Sequence, residues 1–151
     1  MQYYVKRFCK MVAMCLVIIL MIPSYANAAV IEPIEPLASD YLTSYQAYVY
    51  PAGSGEIQVW FSVTADTYMD ELGALSIHIY ESSDNSTWTY KTTCRHSNYS
   101  GMLGTDDIFH SGHVTYQGTA GKYYKAYVCI WAGKDGGGDT RYFWTSAKKA
   151  T

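Results

Sequence analysis

Hydrophobic and polar side chains alternate along most of the chain from residue 41 onward. The longest such run, residues 123–132, places an apolar or small side chain at every second position. Shorter runs with the same period occupy residues 57–63 and 75–79. A period of two predicts β-strands that turn one face toward a hydrophobic core. Because no segment after residue 28 keeps a helical period for three turns, we predict an all-β fold.

Clusters of glycine, proline, serine and aspartate divide these runs, as turn residues do. The clusters lie at residues 51–55, 82–86, 118–121 and 135–139. The strands predicted between them are 41–50, 56–65, 74–81, 87–94, 112–117, 122–132 and 140–147. About seven short strands are typical of a single antiparallel β-sandwich, and we expect one of the immunoglobulin or fibronectin type III kind.

The first 28 residues have a different pattern, which is that of a secretory signal peptide. Three cationic residues within positions 6–10 precede an apolar run at 11–22, and the small-residue triplet Ala-Asn-Ala ends at residue 28. We predict cleavage after Ala28. The apolar run is too short to cross a bilayer core of about 30 Å as a helix. The sequence therefore predicts a secreted, extracellular protein whose mature chain does not insert into the membrane.

The mature chain has the length of one domain. Residues 29–40 contain two prolines and are predicted to be an extended leader, and residues 41–151 are predicted to form the sandwich. Without the three cations of the signal peptide, eight Lys and Arg remain against 13 Asp and Glu, a net charge of minus five. Such a charge repels nucleic acid and anionic lipid, so we expect neither as a partner.

Two cysteines, Cys94 and Cys129, follow the signal peptide. An oxidising compartment favours a disulfide between them, which would close a loop of about 35 residues and contribute about 3 to 4 kcal/mol. Against the bond, Cys129 lies in a strand whose alternate positions supply the core. Spacing along the chain does not fix the Cα separation that a disulfide requires, so both possibilities stay open.

Four aromatic residues fall on the polar side of their predicted strands: Trp60, Tyr123, Tyr127 and Trp131. Exposed aromatic rings are surfaces on which sugar rings and protein partners stack. The alternative is structural, because cross-strand aromatic pairs stabilise a sheet by a few tenths to about 1 kcal/mol each. We take these four residues as the candidate binding site for an extracellular protein or glycan.

One connection, residues 95–111, stands out by its length, because loops of more than about 12 to 15 residues are usually functional or disordered. His96 and His110 lie in it and His113 follows it. Three imidazoles are enough to bind zinc. However, the His-x-x-His spacing of the last two lacks the helical context that aims two ligands at one ion. We therefore expect ordinary polar-loop histidines, with a zinc site as the alternative.

The sequence contains no recognisable nucleophile motif, no paired catalytic carboxylates and no phosphate-binding loop. We accordingly expect no enzyme activity and no cofactor. The predicted function is a secreted, non-enzymatic binding module for a cell-surface or matrix protein or glycan. An alternative is a bacteriocin-like secreted antimicrobial protein, suggested by small size, release and the segment 110–116, although the acidic charge argues against attraction to anionic envelopes.

Residues 69–75 (MDELGAL) with the hairpin that follows, and residues 121–149 (GKYYKAYVCIWAGKDGGGDTRYFWTSAKK), resemble a family of small secreted proteins of anaerobic Gram-positive gut bacteria. That family is known as a domain of unknown function. The resemblance implies secretion and a β-fold, and it implies no activity. Separately, residues 124–128 (YKAYV) are similar to the penultimate strand of fibronectin type III domains, in which a tyrosine near the strand start anchors a corner.

Overall fold

The computed structural model describes residues 40–151, which form an antiparallel β-sandwich of nine strands. In chain order they are β1 (Leu42–Gly53), β2 (Glu56–Met69), β3 (Glu71–Ser82), β4 (Thr89–Arg95), β5 (Leu103–Gly104), β6 (Asp107–Gln117), β7 (Tyr123–Lys134), β8 (Gly137–Trp144) and β9 (Lys148–Lys149). The all-β sandwich is therefore confirmed. The predicted signal peptide, and the leader apart from residue 40, lie outside the described residues.

The strands are divided between two sheets. One sheet has the order β1-β2-β6, and the other has the order β4-β3-β7-β8, with the short strands β5 and β9 added to β3 and β7. Every pairing is antiparallel. Among residues 40–151 there is no helix of the length and apolarity that crossing a membrane requires. The seven long strands correspond to the seven predicted from the turn clusters, and the two additional strands have two residues each.

The core lies between the two sheets and is built from the apolar side of the alternation. On β2 the side chains of Ile57, Val59 and Phe61 are at most 2% exposed, while the residues between them are half-buried. On β7 the same pattern buries Val128 and Ile130 completely. Antiparallel sheets can bury one face and leave the other to solvent, which is the arrangement that a period of two specifies.

Tyr124, at the start of β7, fastens the corner between the two sheets. Its ring is fully buried. Its hydroxyl accepts a hydrogen bond from the Thr119 amide at 2.8 Å and donates one to Glu81 Oε2 at 2.5 Å. Burial, followed by the neighbouring Glu81 carboxylate, raises the pKa of the Tyr124 hydroxyl above its usual value, so it stays protonated as the donor.

The hairpin between β7 and β8 has the tightest connection available to antiparallel strands. Asp135 and Gly136 both have positive φ, 53° and 77°, as a two-residue type I′ turn requires. This turn sets the register that places Tyr142 opposite Cys129 and Trp144 opposite Tyr127.

The prediction of a long loop at 95–111 is wrong. Strand β5 occupies Leu103–Gly104 and β6 begins at Asp107. The first half of β6 gives no alternating signal because it is an edge strand with solvent on both sides, where Ile108 and Phe109 are 41% and 53% exposed. The preceding segment is fixed to β3 by a hydrogen bond of 2.8 Å from the Ala74 amide to the Met102 carbonyl.

Cys94 and Cys129 are both buried and both free, so the disulfide considered from the sequence is absent. The two residues lie on strands β4 and β7, either side of β3. Cys94 is opposite Ile77 and Cys129 is opposite Ser76, the preceding position of β3. Successive side chains of a strand point to opposite faces, so one thiol faces the core and the other faces outward. Burial raises the pKa of both thiols.

Candidate binding surface on the four-stranded sheet

The middle of the outer face of the sheet β4-β3-β7-β8 presents its side chains in three cross-strand rows. The first row is Arg95, Ser76, Cys129 and Tyr142; the second is Thr93, His78, Tyr127 and Trp144; the third is Tyr90, Tyr80 and Lys125. The rows arise because directly opposed residues of paired strands share a face. On each strand, the residue that lies between two successive rows is turned toward the core.

Aromatic rings from adjacent strands touch one another across these rows. We name as the aromatic surface the six side chains Tyr80, Trp88, Tyr90, Tyr127, Tyr142 and Trp144. Tyr127 is central, with its ring centroid 5.9 Å from that of Tyr142 and 4.9 Å from that of Trp144. Tyr80 meets Trp144 and Tyr90 edge-on at 5.0 and 5.7 Å. These contacts hold the rings in place, since aromatic pairs at such separations attract one another.

Three members of the aromatic surface remain largely open to solvent. The exposed fractions are 60% for Tyr142, 51% for Tyr90 and 48% for Trp144. Lys125 lies between the indoles of Trp88 and Trp144, with its ammonium 4.4 and 4.3 Å from the two ring centroids. Such cation–π contacts order both the cation and the rings. The result is a set of exposed rings whose positions are fixed before any partner arrives.

A chain of hydrogen bonds runs beside the rings. Ser76 Oγ lies 3.3 Å from His78 Nε2, His78 Nδ1 lies 2.8 Å from Thr93 Oγ1, and Thr93 Oγ1 lies 2.9 Å from the Tyr90 hydroxyl. Burial and, to a lesser degree, the charge of Arg95 lower the pKa of His78. The imidazole is therefore neutral at pH 7 and serves as both donor and acceptor in this series of hydrogen bonds.

An open groove of about 390 Å³ adjoins the first row. Its walls include Arg95, His96, Ser76 and Tyr142. The groove brings a permanent cation and polar side chains to one border of the aromatic surface. This border is therefore suited to a polar or anionic group of a ligand whose apolar part lies on the rings.

The four aromatic residues predicted as a binding site are divided between the two sheets. Tyr127 lies at the centre of the aromatic surface, with Tyr123 and Trp131 toward opposite ends of β7. Trp131 donates a hydrogen bond from Nε1 to Glu71 Oε2 at 3.0 Å. Trp60 is on β2 of the other sheet, so the four residues do not form one surface.

Trp60 has a local packing role in the three-stranded sheet. It stacks on His113, the residue opposite it on β6, with ring centroids 4.3 Å apart and an interplanar angle of 23°. Its Nε1 donates to Gln58 Oε1 at 2.9 Å. These are the cross-strand contacts that the structural interpretation of the aromatic residues predicts.

The three candidate zinc ligands are also separated. His110 and His113 are three residues apart on β6, so their side chains lie on opposite faces of that strand. His110 Nε2 donates to the Gly101 carbonyl at 2.9 Å, and its Nδ1 lies 3.5 Å from Asp107 Oδ2. His96 lies beside the groove on the other sheet. Among the described residues, no group of three or more His, Cys, Asp or Glu is placed to hold a metal ion.

Sequence reasoning missed most of the aromatic surface. Tyr80 was on the polar side of its predicted strand, and Tyr142 and Trp144 alternate with the half-buried Phe143 in theirs. The alternation was a usable signal for each strand taken singly. It did not show that β8 lies next to β7, which is what brings Tyr142 and Trp144 against Tyr127.

Comparison with known proteins adds little to this geometry. No protein-family model and no curated protein matches the chain. Among solved structures, the chain is similar to a family 76 glycoside hydrolase from a bovine Bacteroides thetaiotaomicron strain, with 17% identity, a TM-score of 0.31, and coverage of 71% of this chain and 20% of that chain. The chain thus spans one fifth of that neighbour. At this TM-score the similarity contributes nothing to the assignment of fold type or activity.

Proposed function

We propose that this protein is a secreted, non-enzymatic β-sandwich module that binds a cell-surface or matrix protein or a glycan through the aromatic surface. The observation that carries the proposal is the set of contiguous rings on the outer face of the four-stranded sheet, three of which are about half exposed or more. Scattered exposed aromatics need no explanation, whereas contiguous ones are characteristic of interaction sites. Export is inferred from residues 1–28, which lie outside the described residues.

Preordered rings favour binding because little side-chain entropy is lost when a partner arrives. Tyr127, Tyr80 and Trp144 restrain one another through ring contacts, and Lys125 is held between two indoles. Tyrosine and tryptophan also combine a large apolar face with a polar group at the rim, which suits partners that present both kinds of surface. The absence of a recognisable catalytic motif in the sequence supports a binding role over a chemical one.

The same proposal includes the finer fold type, an immunoglobulin- or fibronectin type III-like sandwich. It is supported by the division into sheets of three and four long strands and by the buried Tyr124, whose hydroxyl accepts from the Thr119 amide five residues upstream. A corner tyrosine bonded to upstream backbone is a feature of such sandwiches. The antimicrobial alternative gains no support from the described residues and stays a sequence prediction.

The test compares two triple variants of the mature protein in pull-downs from cell-envelope and matrix material. One variant replaces Tyr90, Tyr142 and Trp144 of the aromatic surface with alanine. The matched control replaces three equally exposed tyrosines elsewhere, which are Tyr48, Tyr50 and Tyr68 at 49%, 54% and 65% exposure. We expect the first variant to lose the partners that wild type recovers and the control to keep them. Equal recovery by both, with melting curves showing both folded, would contradict the proposal.

A further inference from the structure

The three rows that hold the aromatic surface carry positive charge. Arg95 and Lys125 are the charged side chains of these rows, and the rows contain no Asp or Glu. A carboxylate on the same face, that of Glu71, lies beyond the rows and accepts a hydrogen bond from Trp131. Within residues 40–151, neither cation lies within salt-bridge distance of a carboxylate. The chain as a whole has a net charge of minus two. A local reversal of sign on an acidic protein selects for partners that carry negative charge at this face.

The two cations lie at different places on the face. Arg95 is on the edge strand β4 and lines the groove beside the first row, together with His96. Lys125 is in the third row, held over the rings of Trp88 and Trp144. The charge of Arg95 also reaches the second row, where it contributes to the lowered pKa of His78. The two cations therefore lie on different strands and in different rows of the face.

The dimensions of the face suit an extended ligand. Four strands spaced by about 4.8 Å, and rows spaced by two residues, give a surface of about 14 Å by 13 Å. The rings of Tyr90, Tyr142 and Trp144 are exposed, and the hydroxyl and imidazole groups of Ser76, His78 and Thr93 lie beside the rings. A sugar ring offers C–H bonds, which are attracted to the negative π face of an aromatic ring, and hydroxyls, which bond to such polar groups.

We propose that the aromatic surface binds an acidic polysaccharide, with sugar rings on Tyr127, Tyr142 and Trp144 and its anionic groups at Arg95 and Lys125. This rests on the proposed function and specifies the class of partner. Carboxylate and sulfate groups share the chemistry that Arg95 and Lys125 recognise. A peptide added to a sheet edge would be held by main-chain bonds, whereas this face offers side chains. The test separates these possibilities.

The experiment measures retardation of the mature protein in native gels that contain one polysaccharide each. The acidic probes are polygalacturonate, which bears carboxylates, and chondroitin sulfate, which also bears sulfates. The neutral controls are fully methyl-esterified polygalacturonate and dextran. We expect retardation by at least one acidic probe, a weaker effect as salt is raised, and none by the neutral polymers, because exposed charge pairs are screened by salt.

Matched variants then assign the binding to the two cations. Arg95→Gln with Lys125→Met keeps most of each side-chain stem, and Lys134→Met with Lys148→Met removes the same charge away from the rows. We expect the first pair to weaken binding by about tenfold, as the loss of two exposed charge contacts implies, and the second to leave it within about twofold. Equal losses in both pairs would overturn the assignment, because only the net charge would then matter.

The remaining outcomes distinguish this inference from the proposed function. If neutral polymers retard the protein as strongly as acidic ones, or if the aromatic variant loses a protein partner while no polysaccharide binds, the acidic-glycan inference is wrong and the binding function stands. If no polysaccharide binds and the aromatic triple variant recovers the same partners as wild type, both are wrong.

Discussion

Replacing Tyr124 with phenylalanine tests the structural account of the corner that holds β7 in place. The substitution keeps the buried ring and removes its hydroxyl. The Thr119 amide then loses its acceptor, which lay at 2.8 Å, and Glu81 loses its donor, which lay at 2.5 Å. Glu81 keeps the neighbouring Lys91 ammonium at 3.6 Å, so its carboxylate is only partly deprived of partners.

The expected loss follows from these two bonds. Thr119 is an exposed residue, so water can solvate its amide, and the lost hydrogen bond contributes about 0.5 to 1.5 kcal/mol, whereas a hydrogen bond to a charged group contributes about 1.5 to 3 kcal/mol. Because Glu81 also keeps Lys91 and some solvent, the lower ends apply, and Tyr124→Phe should reduce the free energy of unfolding by about 2 kcal/mol. For a domain of this size, the melting temperature should fall by about 8 °C.

The assay is equilibrium urea unfolding of the mature protein. The unfolding midpoints are compared with the same dependence of the free energy of unfolding on urea concentration for every variant. Tyr50→Phe is the control, since Tyr50 is 54% exposed and its substitution should change stability by less than about 0.5 kcal/mol. Glu81→Gln, which keeps an acceptor for the hydroxyl, should lie between the two. If Tyr124→Phe proves as stable as Tyr50→Phe, the corner bonds contribute nothing and the reasoning fails.

Two further predictions concern titration and the thiols. The raised pKa values of Cys94, Cys129 and Tyr124 mean that the folded state holds protons that the unfolded state releases. The stability that these three groups contribute should be complete below about pH 8.5 and should be lost as pH rises further. The pKa of His78 is instead lowered, by burial and by Arg95, so stability should also fall as pH drops below about 6.5. The variant His78→Gln should remove this dependence on acid. Urea unfolding at several pH values measures the loss of stability at both high and low pH. Intact-mass measurement after alkylation in denaturant should show both thiols modified, and an unmodified chain two mass units lighter would mean that the disulfide forms after all.

Local sequence patterns were enough to predict the seven long strands, apart from the first half of β6, and the core-facing side of most of them. Alternation assigned Leu75, Ile77 and Ile79 to the core, and the structure agrees for Ile77 and Ile79. Leu75 is only half-buried and lines the open groove, because the pairing of β3 with β7 is irregular between Ala74 and Ser76. A period of two is a local property, because it reflects only the pleat of one strand and the water on one side of it. The turn clusters were local in the same sense, since positive φ at positions such as Gly136 depends on the residue itself.

Tertiary structure decided which faces belong together. Trp60 and Tyr127 have the same local pattern, yet their strands belong to different sheets, and their side chains lie on different surfaces. Likewise, pairing to successive positions of β3 sends Cys94 and Cys129 to opposite faces. The spacing of residues along the chain does not determine either outcome, because each depends on which strands become neighbours and in what register.

The early part of β6 shows most directly what local sequence patterns do not predict. An edge strand whose two faces both meet solvent has no burial contrast, so Ile108 and Phe109 gave no period to detect. That segment is a strand because Asp107 and Phe109 find partners on β2, at Met69 and Thr64, about forty residues earlier in the chain. Local patterns therefore determined which residues turn away from water, and long-range pairing alone determined that Tyr142 and Trp144 join Tyr127 in one exposed aromatic surface.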